Sequence, residues 1–336
     1  MRFLKINILL LCTILLGSGN QEYLSIGDFK LENGKSIENC TIGFQRFGRT
    51  NHDSSNIVVV PTWFSGKSDH VANLVGENNL YDSTRYHIII IDALGNGVST
   101  SPSNSPVQKN EEFPSITIYD MVRSQYILLH DKMEIHDVHA IVGGSMGGMQ
   151  TFQWIVSYPN FSTKAISYVG SPWPSTYSKL IWETELLIIE SGLKNHKPDS
   201  LIAEQVAMVQ LLTAYTPAYR NRKTDPPDLL KFQNDYIARF SRNFNSYNWI
   251  CQLNAMNYHD IHRYISKSDE IPSILNSTDI LLMVSKQDHL VTPGPALKFA
   301  GEYDIKTHIF DNDCGHLAPG CEKNEFIRIV NQFISQ

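Results

Sequence analysis

The sequence predicts an α/β fold, a mostly parallel, doubly wound sheet with a helical lid inserted before its last strands. Three observations predict it. Residues 57–60 (Ile-Val-Val-Val) and 87–91 (His-Ile-Ile-Ile-Ile) are unbroken runs dominated by β-branched residues, which suits strands buried on both faces. Strand-like runs alternate with helical patterns along most of the chain. The apolar run Ala140-Ile141-Val142 ends in Gly143-Gly144-Ser145-Met146-Gly147-Gly148, a serine hemmed by glycines between a strand pattern and a helical one.

The chain opens with a short basic segment, Met1-Arg2-Phe3-Leu4-Lys5, followed by an almost wholly apolar stretch over residues 6–16 and by small residues, Gly17-Ser18-Gly19. That is the outline of a secretory signal peptide over 1–19 and implies a secreted or periplasmic mature protein. The apolar stretch is short for crossing a bilayer. No later segment is longer, so no stable membrane association is expected after its removal. The 336 residues are 42% apolar, enough for one large core. Net charge is −6, and removing 1–19 takes away Arg2 and Lys5 with no acid, leaving −8. This balance argues against nucleic acid or an anionic surface as partner. The expected partners are a small-molecule acyl substrate and, at most, a second copy of the chain in a homodimer.

Residues 29–32 and 36–44, separated by Asn33-Gly34, read as a hairpin. After the strands at 57–60 and 87–91, Thr117 with Asp120 three residues on caps a helix through Leu129. Residues 138–142 form the strand that leads into the serine turn, and 164–169, 280–284 and 307–310 give later strands, with a closing helix over 325–334. Between 170 and 271 the pattern changes to aromatic-rich helices broken by prolines, the place for a lid that shapes a pocket and excludes water. The expected organisation is a signal peptide (1–19), a core in two parts (20–170 and 272–336) and a lid (171–271).

A serine at a tight strand-to-helix turn occupies a strained, left-handed backbone, so Cβ-free residues are needed two before and two after it. The turn lifts the hydroxyl clear of the sheet and aims the helix N-terminus at a developing oxyanion, with Met146 N–H as one donor. The run from Gly143 to Gln150, continuing to Trp154 and Tyr158-Pro159, resembles the nucleophile region of the homoserine O-acetyltransferase family of the α/β-hydrolases. Phe113-Pro114-Ser115-Ile116-Thr117-Ile118-Tyr119-Asp120-Met121-Val122-Arg123-Ser124-Gln125 is similar to the helix preceding that motif. Asn245-Ser246-Tyr247 and Ala255-Met256-Asn257-Tyr258 are similar to its lid. The resemblance covers most of residues 50–320 and implies the α/β-hydrolase fold.

Such a serine needs a base, and the base needs a third group to fix its tautomer. In that fold the chain order is serine, acid, histidine, with the last two on loops after late strands. Asp288 follows the strand at 280–284, and His316 follows the strand at 307–310. Both match the family's positions, ahead of Asp304, Asp311 and Asp313 and of the other histidines. The second oxyanion donor is expected from Pro61-Thr62-Trp63-Phe64-Ser65-Gly66, where the family carries a histidine that this chain lacks. Gly66 matches the family's loop glycine, which points to Phe64 N–H, with Trp63 N–H as the alternative.

The family has an acid after the histidine, facing the amino group of homoserine, and this chain has Leu317. Arg220, Arg222 and Arg242 are candidates for the arginine that meets the carboxylate. Two enzymatic readings follow, a serine hydrolase passing the acyl group to water and an acyltransferase taking acetyl from acetyl-CoA. No resident cofactor or metal is expected. Cys40, Cys251, Cys314 and Cys321 remain after loss of Cys12, and the pair seven residues apart is the expected disulfide. Asn39, Asn160 and Asn276 sit in glycosylation patterns.

Overall fold

The computed structural model describes residues 17–265 and 271–336. Residues 1–16 of the expected signal peptide lie outside the described residues. Gly17–Ser18 (β1) pairs with Phe47 and Gly48, so the end of that segment lies on the sheet edge.

The strands are β2 (Glu22–Lys30), β3 (Ser36–Gly48), β4 (Ile57–Pro61), β5 (His87–Ile91), β6 (Val138–Gly144), β7 (Ser162–Tyr168), β8 (Asp279–Ser285) and β9 (Lys306–Phe310). They form one sheet in the order β1-β3-β5-β4-β6-β7-β8-β9, with β2 paired to β3. From β5 to β9 every pairing is parallel, whereas β1, β2 and β3 join antiparallel. The expected hairpin is present, but its connection is the longer loop closed by Leu31 N–H donating to Lys35 O (2.7 Å), and β2 begins earlier than the sequence pattern shows.

The period of two along β4 and β5 separates two cores. Ile57, Val59, Ile89 and Ile91 pack into the cluster containing Met121, Val122 and Trp154. Val58, Val60, Ile88 and Ile90 face the cluster containing Phe326, Val330 and Phe333. Both faces of the strand are therefore dry, which is why the sequence shows a continuous run rather than alternation. Each fully buried aliphatic side chain contributes about 1.5–3 kcal/mol.

The helices are α1 (Ser68–Ala72), α2 (Ile118–Tyr126), α3 (Met146–Ser157), α4 (Thr176–Lys194), α5 (Asp199–Thr213), α6 (Pro217–Lys223), α7 (Leu229–Ser241), α8 (Ser246–Asn257), α9 (Ile271–Leu275), α10 (Gly294–Glu302), α11 (Ala318–Cys321) and α12 (Lys323–Ser335). Thr117 Oγ1 accepts from Asp120 N–H at 3.1 Å, the cap read from the sequence. The α-helix stops at Tyr126, earlier than expected, and widens into a π turn over Ile127–Lys132 that keeps Leu128 and Leu129 buried. Helices α4 to α8 form a block between β7 and β8. Among the described residues no helix is long and apolar enough to cross a membrane.

Candidate active site

Four loops at the carboxyl ends of the parallel strands, after β4, β6, β8 and β9, converge. Strand β5 lies on one side of β4 and β6 on the other, so the loops after β4 and β6 are neighbours where the strand order reverses. The β6–α3 turn places Ser145 at φ 55°. A Cβ at Gly143 would collide with Gly147 O, and one at Gly147 would meet Pro61 O at 2.5 Å, so both glycines are required by close backbone approach.

His316 Nε2 stands 3.0 Å from Ser145 Oγ. Its Nδ1 stands 2.6 Å from Asp288 Oδ2. A carboxylate only accepts, so Nδ1 carries the proton and Nε2 is left to accept from the serine hydroxyl. Asp288 Oδ1 accepts from Leu290 N–H (2.8 Å) and Val291 N–H (2.9 Å), which fixes the carboxylate plane. Asp288 and His316 are buried and Ser145 is half-buried.

Two clamps hold the histidine loop. Cys314 and Cys321 are joined as a disulfide, with Cα atoms 6.5 Å apart, closing a short loop that contains His316. From the helical block, Ala214 O accepts from His316 N–H at 3.0 Å, and Thr216 Oγ1 donates to Asp313 O at 2.5 Å. The thiols of Cys40 and Cys251 are free and buried, which pushes each up to about 12.

Met146 is the first residue of α3, and Trp63 and Phe64 lie on the adjoining loop. Among the described residues none of their backbone N–H groups donates to a protein acceptor. That loop is fastened from beneath and above. Gln150 Nε2 donates to Thr62 O (2.9 Å), while Gln125 Nε2 donates to Gln150 Oε1 (2.6 Å) and Trp154 Nε1 to Gln125 Oε1 (2.9 Å). From α8, Gln252 Oε1 accepts from Ser65 N–H at 2.8 Å and its Nε2 donates to Leu94 O at 3.1 Å. Nearby, Asp92 accepts from Ser68 N–H, Ser68 Oγ, Asn96 and Gln21, although burial still pushes its carboxyl up.

Ser145 and His316 open into a cavity of about 740 Å³ under α4, α5 and α7, lined by Trp63, Phe64, Trp182, Tyr236, Phe240 and Trp249 among others. The three candidate arginines are not in its wall. Arg222 pairs with Asp313, Arg242 is exposed, and Arg220 lies over the Phe232 ring in a neighbouring cavity of about 410 Å³. Of the rival acids, Asp311 pairs with Lys286 and Asp313 with Arg222. Leu317 lines the Ser145 cavity. Sequence reasoning missed Glu185 and Gln210, which also line the cavity, and Gln252. For Glu185 the available signal was a helical acid three residues after a tryptophan. Among the described residues no group of three or more His, Cys, Asp or Glu could hold a metal ion.

Residues 57–319 match the family pattern described as the alpha/beta hydrolase fold. The chain is 36% identical over 172 residues to the ethyl acetate hydrolase of Pseudomonas veronii, a match covering 51% of this chain and 49% of that one. It is 36% identical over 197 residues to a homoserine O-acetyltransferase of Sulfurimonas autotrophica, covering 52% and 53%. The matched stretch thus spans about half the length of these curated relatives. The crystal structure of an acetylester hydrolase from Corynebacterium glutamicum superposes with a TM-score of 0.84 at 21% identity, over 94% of this chain and 95% of that one, a likeness of fold. The resemblance read from the serine turn is therefore borne out at the level of family. The chain belongs to the alpha/beta hydrolase fold family.

Proposed function

We propose that the protein is an exported serine hydrolase that cleaves a short-chain ester through an acyl-enzyme on Ser145. The observation that carries this reading is the hydrogen-bonded line from Asp288 through His316 to Ser145, opening into a largely apolar cavity. His316 Nε2 takes the proton of Ser145 Oγ as the oxygen attacks the ester carbonyl carbon. Charge developing on the carbonyl oxygen meets Met146 N–H and a second N–H from Phe64, with Trp63 as the alternative donor. Collapse of the adduct breaks the bond to the alcohol, which leaves with the proton held by His316. Water then gives a proton to His316, attacks the acyl carbon, and releases the acid as Ser145 regains its hydrogen.

The second reading is an acyltransferase, favoured by the similarity to homoserine O-acetyltransferases. Acetyl-CoA would load Ser145 and an alcohol would take the acetyl group. Leu317, where the family carries an acid, and the absence of the three candidate arginines from the cavity wall count against a zwitterionic acceptor such as homoserine. The disulfide and the apolar N-terminal segment support export, where acetyl-CoA is scarce.

The test is turnover of short-chain acetate esters, then of acetyl-CoA with homoserine, by the protein and by Ser145→Ala. The hydrolase reading expects ester cleavage that the variant loses, with covalent labelling by a serine-reactive phosphonate lost in parallel. Acetyl transfer to homoserine faster than ester hydrolysis would select the second reading.

A further inference from the structure

Glu185 lies on α4, one helical turn after Trp182, and both side chains line the cavity that holds Ser145. Among the residues lining that cavity it carries the one carboxyl, set in a wall that is otherwise mostly aromatic and aliphatic. It is 0% exposed. Gln210 of α5 donates from Nε2 to its Oε1 at 2.6 Å. Its Oε2 has no partner among the described residues. A buried polar atom left unpaired is costly, and one on a residue that lines a cavity can be completed by a group bound there.

We propose that Glu185 is a specificity-determining residue, whose Oε2 hydrogen-bonds an uncharged oxygen, ether, hydroxyl or carbonyl, on the acyl or alcohol portion of the ester. This rests on the ester-cleaving reading of the same cavity. Burial pushes the carboxyl up to about 8, which favours the protonated form at neutral pH. Oε1 is already an acceptor, which leaves the proton on Oε2 as a donor. A cationic substrate would require the ionised form, which the dry surroundings disfavour. A plain alkyl ester leaves the donor unpaired, and a site built around a polar group discriminates strongly against substrates that lack its partner.

The experiment uses isosteric pairs, n-butyl acetate against 2-methoxyethyl acetate for the alcohol side and ethyl butanoate against ethyl methoxyacetate for the acyl side. Each kcat/KM is divided by the rate of hydroxide-catalysed hydrolysis to remove intrinsic reactivity. The wild type should prefer the oxygen-bearing member of one pair. Glu185→Leu should lower the ratio of kcat/KM values within that pair about 10- to 100-fold in favour of the alkyl member. Glu185→Gln, which keeps a donor, should retain part of the preference. Wild-type indifference to both pairs overturns the proposal even if Glu185→Leu fails to fold, as does an unchanged ratio in a folded Glu185→Leu. Preference for 2-aminoethyl acetate that disappears in Glu185→Gln would overturn it in favour of a cationic substrate. Failure of the wild type to cleave any of the esters would instead count against the hydrolase reading itself.

Discussion

At the scale of single residues the site separates groups that share one chemistry but not one environment. Asp288 is held by two backbone N–H groups, which aim its other oxygen at His316 Nδ1. Glu185 has one amide donor and no cation, an arrangement that suits the neutral acid. Replacing Asp288 with Asn should therefore lower kcat by about 10⁴-fold, because the amide cannot hold the same tautomer or stabilise the imidazolium. A loss of only a few-fold would move the acid elsewhere. For Glu185 the consequence is seen in stability. Its folded-state value is raised above the usual carboxylate range to about 8, so between about pH 4.5 and 8 the folded protein keeps a proton that the unfolded chain has released. Stability is then fully present below that window and declines as pH rises through it, by about 1.4 kcal/mol for each pH unit over which the two states differ by one proton. Urea midpoints measured from pH 5 to 9 should fall less steeply in Glu185→Gln than in the wild type. Parallel slopes would show that the group does not titrate in this way.

At the scale of elements, what the sequence made legible follows from how local each signal is. The turn at Ser145 needs glycines within two residues, and the strands β4 and β5 need runs of five, so both can be read directly. Asp288 and His316 follow their strands by a few residues, which put them within reach once the late strands were identified. The groups that fasten the loop after β4 are another matter. Gln252 reaches Ser65 from 187 residues away, and Glu185 meets Gln210 from 25 away on a different helix. Nothing in either local pattern distinguishes those glutamines from solvated ones. Short helices such as α1 and α10 were also missed, since one or two turns leave little periodicity. The fastening has a measurable effect. Gln252→Leu removes the acceptor for Ser65 N–H and frees the loop that carries Trp63 and Phe64. An oxyanion donor displaced by a fraction of an ångström should lower kcat by about 10-fold or more with KM little changed. Unaltered kcat in a folded variant would separate this glutamine from the loop's geometry.

At the scale of the whole molecule the sheet and the helical block have different stakes in rigidity. Strands β4 and β5 are buried along their full length, and α3 is buried at nearly every position. By contrast, α6 and α7 have no fully buried residue, although Tyr236 and Phe240 of α7 line the Ser145 cavity. A helix held by half-buried side chains has little to lose by moving away, whereas withdrawing α3 would empty one of the cores. Local opening free energy scales with the apolar contact that opening gives up, so the two regions should differ widely. Opening at α7 would also widen the entrance to the cavity, the kind of motion that admits substrate and often limits turnover. The clamps on His316 lie in the turn between α5 and α6, at Ala214 and Thr216, so the histidine loop is anchored beside the helices expected to open rather than on them. Native-state hydrogen exchange resolved by peptide should find amides of α6 and α7 exchanging orders of magnitude faster than those of β4, β6 and α3. A phosphonate bound covalently at Ser145 and packed against Tyr236 and Phe240 should slow exchange in α7 while leaving the strands unchanged. Equal protection in α7 and the central strands before labelling would mean that the helical block is part of the rigid core, and substrate would then have to enter by another route.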